Sequence, residues 1–79
     1  MKYTVVIEKA PANYGAYVPD LPGCVATAKT RDGVERLIKE AIELHIEGMI
    51  EDGDPIPTPS AYAKEVEVSA PDGRTRKVG

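Results

Sequence analysis

The sequence predicts an α+β fold of order β-β-β-α-β: a mixed four-stranded sheet (order 3-2-1-4) with one helix packed on one face. Three observations carry that prediction. Alternating β-branched residues open the chain, apolar residues recur at helical spacing through its middle, and a second alternating run lies near its end. Each is bounded by clusters of Pro, Gly or Asn. With 79 residues the chain makes one small domain, near the size at which a single core leaves a narrow margin of stability, so help from a partner is expected.

The first element is "KYTVVIEK", Lys2 to Lys9. It sets Tyr3, Val5 and Ile7 on one side and Thr4, Val6 and Glu8 on the other. "PANYG" supplies a turn before "AYV", and "CVATAKT" follows as the third strand of an antiparallel meander. Between them "PDLPG", Pro19 to Gly23, reads as a tight connection whose shape is set by its two prolines and its glycine.

A helix follows from about Arg31 to Asp52. Thr30 can accept a backbone N–H bond as its cap, and Asp32 places negative charge at the positive end of its dipole. Advancing 100° per residue gathers Val34, Leu37, Ile38, Ala41, His45 and Met49 into one sector, with Gly48 at its edge; that sector is expected to face the sheet. Glu40, Glu43, Glu47 and Glu51 fall together on the far side as an acidic stripe, with only Lys39 near it. Ile42, Ile46 and Ile50 extend the apolar arc beyond what one small sheet can cover, which marks that flank as a partner or self-association contact.

After Gly53, "DPIPTPSAYA" is neither helix nor central strand, because Pro55, Pro57 and Pro59 remove donors and hold the backbone extended. "KEVEVS" then alternates Val66 and Val68 against Glu65, Glu67 and Ser69 as a final strand. A right-handed crossover through the helix would lay it parallel to the first strand, giving order 3-2-1-4. The sheet face opposite the helix, carrying Val6 among polar neighbours, stays open as a second place for another subunit.

The charge pattern narrows the partners. Residues 1 to 70, the domain proper, hold 7 of the 10 basic groups and 12 of the 13 acidic ones. The short stretch from 71 to 79 is therefore a basic tail, expected to be mobile. An acidic body repels phosphate backbones and favours a basic protein partner over nucleic acid. No apolar run approaches the roughly 20 residues that span a bilayer, and Met1-Lys2-Tyr3 leads straight into a strand pattern, so a cytoplasmic protein is expected.

Chemistry finds few footholds. The single cysteine, Cys24, begins the third strand on the side shared by Ala26 and Ala28, where it reads as a small buried apolar residue. A nucleophile would need a base, and the sole histidine, His45, lies within the helix's apolar sector. No second Cys or clustered His completes a metal site, and the glycines are scattered singly, without a phosphate loop. Tyr14 and Tyr17 lack the basic groove that base stacking needs. The expected fold is similar to the first half of ribonuclease H, but its inward first-strand positions are Val5 and Ile7, and Glu65 and Glu67 point outward. No catalytic residue, metal or cofactor is expected.

Tyr17, "PDLPGC" at 19 to 24, a Thr-capped helix rich in Glu and Ala, a following glycine and the "PIPTPS" connector together have a counterpart. The combination resembles the N-terminal domain of the HicB family of type II antitoxins, over roughly residues 3 to 69. The resemblance implies a partial ribonuclease H-like fold without nuclease activity. It also implies a protein that occludes and neutralises HicA, a small basic toxin that cleaves mRNA. On this reading "PDLPG" is a rigid turn that sets where Tyr17 and Cys24 enter their strands, with Asp20 bonding nearby backbone N–H groups.

Many HicB-like antitoxins continue into a DNA-binding domain, whereas only nine residues follow Ala70 here, so direct DNA binding is not expected. The expectation is a stand-alone antitoxin, a homodimer or tetramer, that meets its toxin through Glu40, Glu43, Glu47 and Glu51 by charge. Ile42, Ile46 and Ile50 would add apolar contact. The rival readings are an orphan protein- or small-molecule-binding module of the same fold and, more remotely, an enzyme using Cys24.

Overall fold

The computed structural model describes residues 1–69; the basic tail expected from 71 to 79 lies outside them. Three strands, β1 (Val6–Lys9), β2 (Tyr14–Tyr17) and β3 (Val25–Ala28), form an antiparallel sheet of order β1-β2-β3, followed by α1 (Arg31–Asp52). Ile7 pairs with Ala16 and Ala16 with Ala26, so these three share the face that packs against α1. Pro11 and Ala12 form the tip of the first hairpin, closed by the Ala10 N–H donating to the Asn13 carbonyl at 2.8 Å.

The helix has the expected limits because both ends carry strong signals. Thr30 is extended and its hydroxyl accepts from the Gly33 N–H at 3.0 Å. At the other end Gly53 sits at φ 72°, a left-handed conformation that costs glycine little. The Gly53 N–H bonds the Ile50 carbonyl and the Asp54 N–H the Met49 carbonyl, closing the last turn. The helix lies over β3 and, to a lesser degree, β2.

The core is small and much of it comes from a loop. Its buried residues are Ala16, Val18, Leu21, Cys24, Val34 and Ile38. Val18, Leu21 and Cys24 belong to the connection between β2 and β3, which is two successive turns. The Leu21 N–H donates to the Val18 carbonyl and the Cys24 N–H to the Leu21 carbonyl, both at 3.0 Å. A proline takes the second position of each turn, and Gly23 takes φ 85° at the third position of the second, as a type II turn requires. Fully burying Leu21 in this way is worth about 1.5–3 kcal/mol.

Two expectations need correction. Among the described residues Lys64–Ser69 pairs with no strand, and the sheet has three strands where the four-stranded order 3-2-1-4 was expected. Val66 and Val68 are 70% and 83% exposed and lie outside the core cluster of the described residues. Leu37, expected against the sheet, is 43% exposed. The sheet-facing arc is instead centred on Val34 and Ile38 and takes in Ile42, which packs against the core.

Candidate functional site

Two outward surfaces and one clamp between distant parts of the chain are the candidates for function. The first surface is the far side of α1. Glu40, Glu43, Glu47 and Glu51 are all exposed there, as their spacing predicts. Glu40, Glu43 and Glu47 line a shallow open groove together with Leu44 and Ile46. Leu44, 68% exposed, is the residue that sequence reasoning passed over; a leucine standing among glutamates was the available signal. Glu51 and Ile50 lie beyond the groove near the end of the helix, both exposed, while Ile42 is half-buried on the core side. The groove thus combines a row of carboxylates with apolar side chains on the same helix face.

The second surface is the sheet face away from the helix. Val6 pairs with Tyr17, and Tyr17 with Val25, so the three form an apolar row across all the strands. Tyr17 and Val25 are exposed and Val6 is half-buried. Sequence reading placed only Val6 there; the pairing of Tyr17 with Val25 follows from the closed loop between them, held by the Val18 N–H to the Cys24 carbonyl at 3.3 Å.

The clamp is Asp20. Its carboxylate accepts the backbone N–H groups of Ser60 and Ala61, each at 3.0 Å, and the Ser60 hydroxyl at 2.8 Å. The expectation that Asp20 bonds its own turn is therefore corrected, for its partners lie forty residues away. The bonds from Ala61 and Ser60 hold its pKa below the ordinary carboxylate value, since each favours the ionised form. The connector is tied at two further points, the Tyr3 hydroxyl donating to the Pro57 carbonyl and the Thr4 hydroxyl to the Ala61 carbonyl at 2.7 Å.

Cys24 is buried, and that burial pushes its thiol pKa up, which favours the protonated form over a nucleophilic thiolate. Among the described residues no group of three or more His, Cys, Asp or Glu side chains comes together as a metal site would require, and no helix is long and apolar enough to cross a membrane.

Comparison with known proteins adds to this geometry. The family described as "HicB_like antitoxin of bacterial toxin-antitoxin system" matches residues 3–76. A UPF0150 protein of Archaeoglobus fulgidus is 46% identical over 57 residues, covering 68% of this chain and 83% of its own. A 14.9 kDa protein from the rep-hol intergenic region of Haemophilus phage HP1 is 44% identical over 57 residues, covering 72% of this chain but 43% of the phage protein. The chain therefore spans less than half the length of that relative. Among solved structures, a chain of the "HicA3 and HicB3 toxin-antitoxin complex" superposes with a TM-score of 0.65 at 30% identity, over 76% of this chain and 70% of that one.

Proposed function

The chain belongs to the HicB-like antitoxin family of bacterial toxin-antitoxin systems, and from that premise we propose that it binds a HicA-type, mRNA-cleaving toxin in the cytoplasm and neutralises it by occlusion. The observation that carries this reading is the groove on α1, where Glu40, Glu43 and Glu47 stand beside Leu44 and Ile46. A small basic ribonuclease presents cations where it would hold RNA. A row of carboxylates competes for that surface, and apolar neighbours add contact that salt does not screen. Glu51 and Ile50 extend the same surface toward the end of the helix, with Ile42 supporting it from the core side.

The protein acts by binding and not by catalysis, a reading that the burial of Cys24, which pushes its thiol pKa up, supports. It works as a homodimer or tetramer, since the six buried core residues among those described leave apolar rows exposed on both the helix and the sheet. Likeness to a chain of a toxin-antitoxin complex supports the choice of partner.

The kinetics of association provide the test. Replacing Glu40 and Glu47 with Gln should slow association with the basic toxin about tenfold at low salt and change dissociation less, because exposed charges act mainly on the encounter. An unchanged association rate at low salt would remove the acidic stripe from the interface.

A further inference from the structure

The connector between α1 and the end of the described chain is anchored as far as Ala61 and then released. Tyr3, on the helix side of the sheet, bonds Pro57, whereas Thr4, on the opposite side by strand alternation, bonds Ala61. The connector therefore passes round the edge of the sheet at the start of β1. Asp20 fixes it there through Ser60 and Ala61. Beyond that point Tyr62, Val66 and Val68 are exposed, and no backbone hydrogen bond links Lys64–Ser69 to the rest of the described residues. The segment keeps the alternation of a half-buried strand but pairs with no strand among the described residues.

The sheet has a matching vacancy. β1 pairs only with β2, so its outer edge is unpaired among the described residues. The helix sits over β3 and β2, leaving Val5 and Ile7 half-buried on the inner face beside that edge. We propose that Lys64–Ser69 is a strand donated to the open edge of β1 in a second copy of the chain, so that two copies exchange arms about a two-fold axis. Each copy then holds one donor and one acceptor, and the exchange closes without leaving either unused. Val66 and Val68 meet the uncovered apolar margin formed by Val5 and Ile7.

Charge favours the same pairing. The acceptor carries Lys2, Glu8 and Lys9, a net positive edge, and the arm carries Lys64, Glu65 and Glu67, a net negative one. Two six-residue arms supply roughly ten backbone hydrogen bonds, about the number a standard interface holds. Such pairing also removes an exposed sheet edge that would otherwise invite aggregation.

This inference rests on the self-association in the preceding reading, but not on the toxin. Its test is the mass of the full chain by size-exclusion chromatography with light scattering, beside the double variant Val66→Glu/Val68→Glu. Both valines are exposed in the protomer, so the variant should keep the wild-type circular dichroism. Expected is a wild-type oligomer whose mass falls at least twofold in the variant, with faster amide exchange at Val6–Lys9. An oligomer of undiminished mass in the folded variant overturns arm exchange alone. A wild type that is monomeric at every concentration overturns arm exchange and self-association together.

Discussion

Two stretches without regular secondary structure behave in opposite ways. Val18 to Cys24, dense in proline, contains three of the six buried core residues among those described, with Leu21 fully buried. Lys64 to Ser69, with the alternation of a strand, is exposed throughout. The difference lies in what each stretch finds within its own chain. The loop satisfies its backbone by internal turn bonds, so it can carry apolar side chains inward without stranding polar groups. Lys64–Ser69 needs a neighbouring strand for its backbone and an apolar face for its valines, and among the described residues of its own chain it meets neither.

The largest effect expected from this contrast is in the loop. Leu21→Ala should cost about 2–5 kcal/mol in urea unfolding, a large part of the stability of so small a domain. A loss below about 1 kcal/mol would mean that the loop only covers the core. Smaller and more local is the effect of the Asp20 clamp. Its pKa is lowered on folding, so its contribution is fully present above the ordinary value of about 3.9 and is lost as pH falls through the lower folded value. Amide exchange at Ser60 and Ala61 should therefore reach unstructured-peptide rates in Asp20→Ala, while the thermal transition of the helix and sheet changes little; retained protection would assign the anchoring to Thr4 and Tyr3. Least of all should follow from Val66→Ser measured on dilute, monomeric protein, within about 0.5 kcal/mol of wild type. A larger loss there would show that the valine has a partner within its own chain.

Much of the local structure was legible in the residues. Thr30, Asp32 and Gly53 marked the ends of the helix, and the shared side of Cys24, Ala26 and Ala28 followed from strand alternation. What was hidden depends on contacts distant in sequence. An aspartate between two prolines signals a turn; nothing near it reveals that its acceptors are filled by Ser60 and Ala61. A helical wheel gives the width of the apolar arc but not where the sheet falls beneath it, so Leu37 and Ile42 exchanged roles. The acidic stripe was readable because it needs only the helix itself, whereas Leu44 became a groove residue only once the exposed arc was known. For Lys64–Ser69 the alternation spoke of a strand and was silent about whose edge would receive it.

The same contrast bears on the proposed role. A buried loop and a well-capped helix hold the groove of Glu40, Glu43, Leu44, Ile46 and Glu47 on a rigid element, which lowers the entropy cost of docking a partner there. The most direct measurement is RNA cleavage by a HicA-type toxin, with the chain titrated in. Cleavage that stops near one antitoxin chain per toxin, and returns as salt is raised, is the result predicted for occlusion by a charged surface. Undiminished cleavage at tenfold excess in low salt would contradict it.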